Sequence, residues 1–153
     1  MMYFAVKTGV RGLVLMTYDY SVNRGKQGPN APFDWLTQLA KDLDKRLNGK
    51  YANRVMIGLN FYGYRFEGPQ GVEAVIGDQM VELMKKEGDD WQWEWDKESM
   101  EHVLVHKEDA TKRIFYPTLN SVAMRIEMVS IETKFGISIW ELGQGMEYFT
   151  DLL

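Results

Sequence analysis

The sequence predicts an α/β fold in which parallel strands alternate with helices and a small antiparallel element is inserted. Three short and nearly continuous apolar runs predict strands that are buried on both faces, as in a parallel sheet. Segments with apolar residues at helical spacing separate these runs, and the alternation implies parallel strands joined by crossover connections. Over residues 91–117 the apolar pattern changes to strict alternation, which is typical of an antiparallel hairpin.

Length and composition bound the kind of protein. The chain has 153 residues, of which 45% are hydrophobic and 26% charged, as expected for one globular domain. A net charge of -4 argues against general binding to nucleic acid, which needs a basic surface. No apolar run in the sequence approaches the roughly 20 residues of a membrane-spanning helix. The absence of cysteine excludes a disulfide scaffold and a cysteine-based zinc site.

The first third of the chain predicts a strand, a loop and a helix. Residues 1–9 are apolar and short, and could form the last turns of a helix. A buried strand is predicted over 13–18, and a loop rich in glycine, asparagine and proline over 21–31. Pro32 then begins a helix, because proline favours the first helical turn, and Asn48-Gly49 ends it.

The rest of the chain repeats this alternation around the hairpin. Each strand is predicted from a continuous apolar run, and each helix from apolar residues three or four positions apart. The predicted elements are a strand over 55–62, a helix over 72–87, a helix from Thr118 or Asn120 to Gly136, a strand over 137–140 and one or two helical turns over 146–153.

Polar and aromatic side chains follow each predicted parallel strand at its carboxyl end. In α/β folds this end of the sheet carries the functional groups. An aromatic face can stack on the apolar face of a sugar ring, while neighbouring carboxylates and hydroxyls bond the sugar hydroxyls. The same residues could instead be ordinary core packing. The candidate binding residues are Met16, Tyr18, Asp19, Tyr62, Trp140 and Glu141.

Three separated segments resemble, in order, the last three barrel strands of glycoside hydrolase family 18, the chitinases and chitinase-like proteins. Residues 12–20, GLVLMTYDY, are similar to the Met-x-Tyr-Asp motif of strand six. Residues 57–63, IGLNFYG, resemble the strand-seven motif, although Asn60 stands where many members have proline. Residues 136–142, GISIWEL, are similar to strand eight with its tryptophan. The likeness is greatest to a group of the family that is regarded as weakly active or inactive.

The resemblance implies that residues 1–153 are the C-terminal part of a (β/α)8 barrel, strands six to eight, with 91–117 as an inserted element. A closed barrel of this type needs about 200 residues, so the chain cannot close one alone. The family's proton donor lies in the strand-four motif Asp-x-x-Asp-x-Asp-x-Glu, which this sequence lacks. We therefore expect no catalytic residue in the chain, and no metal or cofactor.

The resemblance also implies roles for the candidate residues. Tyr18 would bond the N-acetyl carbonyl, Asp19 would bond sugar hydroxyls or the acetamido group, and Trp140 would form the floor under the central sugar. Met16 would shape the pocket wall, and Tyr62 would line the cleft. The alternatives are a loop-capping role for Asp19 and core packing for Tyr62.

Three functions follow as hypotheses. The chain could belong to a chitinase-like lectin, it could supply half the cleft of a true hydrolase, or it could be a truncated product with no activity of its own. The expected partner is an oligosaccharide rather than nucleic acid or a membrane, and exposed barrel edges favour self-association. Family resemblance suggests that the protein is secreted or lies in the endolysosomal lumen.

The remaining candidate residue, Glu141, could face the cleft or bind a loop amide.

Two further patterns have structural explanations as well as functional ones. The alternating residues Trp91, Trp93 and Trp95 could form a sugar-binding platform, but such a stripe more often buries one face of a hairpin against the parent fold. His102 and His106 are four residues apart on a predicted strand, where they do not form the metal-binding pair that the same spacing gives on a helix.

Overall fold

The structure is a computed structural model that describes residues 9–68 and 71–153. These residues form a three-stranded parallel sheet and a five-stranded antiparallel sheet. The helix end predicted over residues 1–9 lies almost entirely outside the described part. In chain order the main elements are β1 (Leu13–Leu15), α1 (Phe33–Leu47), β2 (Val55–Asn60), β3 (Gly63–Glu67), β4 (Val72–Val75), α2 (Gly77–Glu87), β5 (Trp91–Asp96), β6 (Glu101–His106), β7 (Lys112–Phe115), α3 (Leu119–Glu132) and β8 (Gly136–Trp140).

The three predicted apolar runs form the parallel sheet, in the order β1-β2-β8. Leu15 pairs with Ile57, and Ile57 pairs with Ile137, so the strands are in parallel register across the sheet. The parallel pairing expected from the alternation of strands and helices is therefore confirmed. It brings the carboxyl ends of all three strands to one edge of the sheet.

One face of this sheet packs on α1 and α3. Val55, Ile57 and Leu59 on β2 are almost fully buried there, since alternate residues of a strand share a face. The helices contribute apolar residues at the spacing that predicted them. Their buried members in this core are Leu36, Ala40, Leu43, Leu47, Met128 and Val129.

The opposite face of the parallel sheet is open to solvent at three large apolar side chains. Val14 and Met16 are 47% and 75% exposed, and Trp140 is 52% exposed. In a complete barrel this face would line the interior. In the described part of the chain, β1 and β8 are the outer strands of this sheet. Each of them therefore pairs with another described strand on one side only.

β1 is shorter than predicted and ends at Leu15 rather than at residue 18. The hydroxyl of Thr17 donates a hydrogen bond to the carbonyl of Gly58 at 2.6 Å. A side chain thus bonds the carbonyl that a longer β1 would face. The chain then leaves the sheet and turns at Asp19.

The antiparallel sheet is larger than the predicted hairpin, with strand order β4-β3-β7-β6-β5. β5 and β6 pair antiparallel, as their alternating pattern indicated. The helix predicted over 72–87 is wrong in its first turn, because residues 72–75 form β4 and pair with β3. Pairing with β3 outweighs the helical spacing of the apolar residues in this segment, so α2 begins only at Gly77.

α1 and the start of α3 agree with the sequence prediction, but α3 ends at Glu132 rather than at Gly136, which begins β8. Pro32 precedes α1, and Asn48 ends it in a left-handed conformation with φ 50°. At the start of α3, the Thr118 N–H donates to the Ser121 hydroxyl at 2.8 Å, which satisfies one backbone group at the helix terminus. None of the helices formed by residues 9–68 and 71–153 is long and apolar enough to cross a membrane.

Candidate functional site

A carboxylate bonded by two tyrosines forms the centre of the candidate site. Asp19 follows β1, Tyr62 follows β2, and Tyr64 lies on β3. The hydroxyls of Tyr62 and Tyr64 both donate hydrogen bonds to Oδ1 of Asp19, the second at 2.7 Å. The ring of Tyr18 packs edge-on against that of Tyr62, with centroids 6.1 Å apart. The fold therefore brings Tyr18, Asp19 and Tyr62 together, as predicted for neighbouring strand ends.

The backbone of Asp19 lies in the left-handed region, with φ 61°. This conformation is uncommon for residues other than glycine, although aspartate and asparagine tolerate it better than most. Asn30 stabilises it, because its Oδ1 accepts a hydrogen bond from the Asp19 N–H at 2.5 Å. The turn directs the Asp19 carboxylate toward Tyr62, which follows β2, and Tyr64 on β3.

Two buried asparagines hold the backbone of Tyr62. The side-chain amides of Asn60 and Asn30 donate to the Tyr62 carbonyl at 2.8 Å and 3.3 Å. Both asparagines are less than 5% exposed. Asn30 therefore contacts both Asp19 and Tyr62 and fixes the distance between the two segments that carry them.

The tyrosines remain protonated donors because their environment disfavours the phenolate. Burial, followed by the hydrogen bond to Asp19 and its charge, raises the pKa of Tyr64 to about 12. The same causes raise the pKa of Tyr62 further. Burial and the charge of Asp19 also raise the pKa of Tyr18. The site thus combines a carboxylate acceptor with hydroxyl donors in a partly buried setting.

One oxygen of the Asp19 carboxylate has no protein donor in the described part of the chain. Both tyrosine hydroxyls bond Oδ1, and no described residue donates to Oδ2. An ionised carboxylate can accept several hydrogen bonds. Oδ2 is therefore the atom of this site that is suited to accept a hydrogen bond from a ligand hydroxyl or amide.

Met16, Trp140 and Glu141 lie at the same edge of the sheet but without a direct bond to Asp19 among the described residues. Trp140 ends β8, and its carbonyl accepts the Phe61 N–H at 2.8 Å, beside the segment that carries Tyr62. The Trp140–Glu141 peptide bond is cis. Oε1 of Glu141 accepts a hydrogen bond from Gln144 at 3.3 Å, which gives this carboxylate a local loop partner.

Sequence reasoning missed Tyr64 and Asn30. Tyr62, Tyr64 and Phe66 alternate, and this aromatic period could have indicated both the strand β3 and its shared face. No local pattern marks Asn30, which is 32 residues from the Tyr62 carbonyl that it bonds. Residues 9–68 and 71–153 contain no group of three acidic or histidine side chains arranged to hold a metal ion.

The tryptophan stripe of β5 divides between core and surface. Trp91 is 3% exposed and packs in the second hydrophobic cluster, while Trp93 is 47% exposed. The ring of His102 packs edge-on against the other two indoles, with its centroid 4.7 Å from that of Trp95 and 5.9 Å from that of Trp93. The stripe lies on β5, an outer strand of the antiparallel sheet, and β6 and β7 separate it from β3, which carries Tyr64.

No protein-family model matches the chain. Solved structures nevertheless share its fold. The chain superposes on a chitinase from Chromobacterium violaceum with a TM-score of 0.74 and 21% identity, covering 93% of this chain and 44% of that one. The spore cortex-lytic enzyme SleL from Bacillus cereus gives 0.73 and 17%, covering 93% and 34%. A glycoside hydrolase family 18 N-acetylglucosaminidase from Paenibacillus barengoltzii gives 0.69 and 18%, covering 94% and 48%.

The chain spans less than half the length of each of these three proteins. At these identities the likeness concerns the fold. It confirms the prediction of a partial barrel, since a parallel sheet with an inserted antiparallel element matches part of each solved chain. The chain therefore has the fold of part of a chitinase-type (β/α)8 barrel.

Proposed function

We propose that the rim formed by the carboxyl ends of β1, β2 and β8 binds oligosaccharides that contain N-acetylglucosamine. The observation that carries this proposal is the Asp19 carboxylate, which receives two tyrosine hydroxyls on Oδ1 and leaves Oδ2 without a donor in the described chain. The site lies in a fold shared with chitinases and an N-acetylglucosaminidase. Sugars offer the hydroxyl and acetamido donors that such an oxygen accepts.

The proposed binding mode assigns separate tasks to the rim residues. Asp19 accepts a hydrogen bond from the ligand, and Tyr18 lies beside it as the donor expected for an N-acetyl carbonyl. The exposed indole of Trp140 offers an apolar face for stacking against a sugar ring. Met16, which is also exposed, would contribute to the wall. Glu141 has a loop partner in Gln144 and is secondary in this scheme.

Replacing Asp19 with asparagine is expected to weaken binding of a chitooligosaccharide by about 10- to 100-fold, since a hydrogen bond to a charged group contributes about 1.5–3 kcal/mol. The measurement is isothermal titration calorimetry of the 153-residue chain with chitohexaose. Asp42→Asn is the control, because Asp42 is exposed on α1 and bonds Gln38 on its own helix. Equal affinity of the two variants would contradict the role of Asp19.

Trp140→Ala is expected to weaken the same binding by about two- to tenfold through loss of the stacking surface. Trp93→Ala is a matched control, because the two indoles are similarly exposed, at 52% and 47%, on different sheets. A larger effect at Trp93 would favour the platform on β5 over the rim. No heat and no change in tryptophan fluorescence with the unmodified chain would overturn the proposed function.

A true hydrolase is the second candidate function. It is favoured by the solved structures, whose names include a chitinase and an N-acetylglucosaminidase. In this case the chain supplies part of the cleft, and the acid group comes from strand four of a longer protein. The coding sequence upstream of Met1 tests this candidate. An intact strand-four motif with its final glutamate supports hydrolysis, and a replaced glutamate supports a lectin.

A truncated product is the third candidate, and the exposed sheet face favours it. Val14, Met16 and Trp140 present apolar surface that a complete barrel would cover. Two copies of the isolated chain are therefore expected to associate through this face and the outer strands. A fragment of this kind would have neither affinity for chitooligosaccharides nor a stable monomer.

Val14→Lys is expected to shift the isolated chain toward the monomer, because a charge on the open sheet face disfavours its burial between two copies. Sedimentation velocity over a range of concentrations measures this shift. Ile131→Lys is the control, since Ile131 is 72% exposed on α3, on the other side of the sheet. A monomeric unmodified chain with a cooperative thermal transition would contradict self-association.

The motif resemblance supports a finer proposal for the protein's relatives and location. Segments such as 15–21, LMTYDYS, and 138–145, SIWELGQG, are most similar to those of the stabilin-interacting chitinase-like proteins within glycoside hydrolase family 18. A protein of this group would be secreted or lie in the endolysosomal lumen. Microscopy of the protein expressed from its complete gene with a C-terminal tag tests the location.

A further inference from the structure

A buried arginine on α3 connects three segments of the chain. Arg125 is 3% exposed. Its Nη2 donates to the Ala31 carbonyl at 2.6 Å, to the Ser99 carbonyl at 3.0 Å and to Oε1 of Glu101 at 2.9 Å. Its Nη1 donates to the carbonyls of Ser121 and Met100 at 2.8 Å and 3.3 Å. The guanidinium thus ties the loop after β1 and the turn between β5 and β6 to α3.

The loop that Arg125 holds is the one that shapes the candidate site. Ala31 follows Asn30, whose side chain accepts the Asp19 N–H at 2.5 Å and donates to the Tyr62 carbonyl at 3.3 Å. The Asn30 carbonyl also accepts the Tyr20 N–H at 2.9 Å. A displacement of Ala31 would therefore move Asn30, and with it both segments that carry the carboxylate and its tyrosine donor.

The arrangement of acceptors in the cluster suits arginine better than lysine. Its planar fork directs several donors at once toward fixed acceptors, whereas lysine presents one compact ammonium group on a flexible stem. Glu101, also about 3% exposed, balances the buried charge. Buried ion pairs of this kind often add little net stability, because both ions must be desolvated. A role in fixing local geometry therefore explains the cluster better than stability does.

We propose that Arg125 is a positioning residue for the oligosaccharide site: it fixes residues 30 and 31 so that Asn30 holds Asp19 and Tyr62 at their mutual distance. This inference rests on the proposed function for the identity of the ligand, but the geometric link itself does not. Arg125 contacts neither Asp19 nor the rim, so it acts through the loop.

Residue-resolved amide hydrogen exchange of the complete chain tests the link without a ligand. In Arg125→Lys, the amides of Asp19 and Tyr20 are expected to exchange about tenfold faster or more, as the loop opens locally. The amides of β2 are expected to stay within about twofold of the unmodified chain. Glu101→Gln, which retains the arginine and an acceptor oxygen, is expected to cause no selective acceleration at Asp19 and Tyr20 relative to β2.

Chitohexaose titration of the same variants provides the functional readout. Arg125→Lys is expected to weaken binding about tenfold, and Glu101→Gln to bind like the unmodified chain. If the unmodified chain binds no chitohexaose, the proposed function fails, and the exchange of Asp19 and Tyr20 still decides whether Arg125 positions the site.

Two exchange results would overturn the positioning role. Equal acceleration at β2 and at Asp19 would show that Arg125 supports the whole fold, and unchanged exchange at Asp19 and Tyr20 would show that the loop does not depend on it. If Arg125→Lys does not fold, the double variant Glu101→Gln/Arg125→Gln replaces it, because it buries no charge. In the double variant, too, the amides of Asp19 and Tyr20 are expected to exchange faster than those of β2. If they do not, the positioning role is overturned.

Discussion

Replacing Arg125 with methionine is expected to lower the free energy of unfolding by about 3–5 kcal/mol at about pH 8. The substitution leaves the Glu101 carboxylate buried without its cation. It also removes the donors to four backbone carbonyls, those of Ala31, Ser99, Met100 and Ser121. Such a loss is a large part of the stability of an ordinary domain, which is about 5–15 kcal/mol. Urea unfolding followed by tryptophan fluorescence measures it.

An exposed ion pair provides the matched control. Lys41 on α1 and Glu132 on α3 lie 3.0 Å apart, but their side chains are 47% and 40% exposed. Lys41→Met is expected to change the free energy of unfolding by less than about 1 kcal/mol, because solvent screens the pair. Equal losses in Lys41→Met and Arg125→Met would contradict the claim that burial makes the second pair different.

The pH dependence of the free energy of unfolding is expected to show how much of this loss comes from Glu101. Burial, together with the charge of Asp96, raises the pKa of Glu101 to about 7, while Arg125 opposes this shift. A carboxyl whose pKa is raised in the folded state stabilises the fold fully below its unfolded pKa, and that contribution is lost as the pH rises through about 7. Relative to the unmodified chain, Glu101→Gln is therefore expected to become more stable as the pH rises from about 5 to about 8.

Protonation of Glu101 also affects the stability of Arg125→Met. Without Arg125, the carboxyl of Glu101 has a still higher pKa and must take up a proton to remain buried. The difference between Arg125→Met and the unmodified chain is therefore expected to shrink as the pH falls toward about 7 and to stay constant below it. A difference that does not change with pH would assign the loss to the unbonded carbonyls instead of to Glu101.

The parallel sheet could be predicted because its signals are local. Each strand is an apolar run, and the helices α1 and α3 carry buried residues at helical spacing with recognisable ends at Asn48 and Thr118. The position of the site followed from the rule that parallel strands end at the same edge. Tyr18, Asp19 and Tyr62 lie together for that reason.

The features that could not be predicted from the sequence depend on contacts between residues that are far apart along the chain. Residues 72–75 have helical apolar spacing, and they become a strand because β3 offers a partner. Asn30 and Arg125 act on the site across 32 and 94 residues of sequence, through bonds to carbonyls that any residue could supply. Acceptors of this kind leave no trace in a sequence. Side-chain patterns thus predict which elements form, while the polar contacts that position the site appear in the folded chain.

Gly63→Ala is expected to destabilise the fold by about 3 kcal/mol or more, and to abolish oligosaccharide binding. Gly63 begins β3 where the chain passes from the parallel sheet into the antiparallel one. A Cβ at this position would contact the Phe115 carbonyl and lie 2.8 Å from Cα of Tyr116, both backbone atoms of the segment at the end of β7. The backbone must therefore shift, because no flexible side chain can move aside.

The shift reaches the site because Gly63 stands between Tyr62 and Tyr64, the two donors to Asp19. Thermal and urea unfolding measure the loss of stability, and calorimetry with chitohexaose measures the loss of binding. Gly143→Ala is the control: a Cβ there meets nothing within 4 Å, and a change within about 0.5 kcal/mol is expected. If Gly63→Ala is as stable as Gly143→Ala, the close approach of β3 to residues 115 and 116 is not a constraint on the fold. If Gly63→Ala is destabilised but binds chitohexaose normally, Tyr62 and Tyr64 do not control the affinity of the rim.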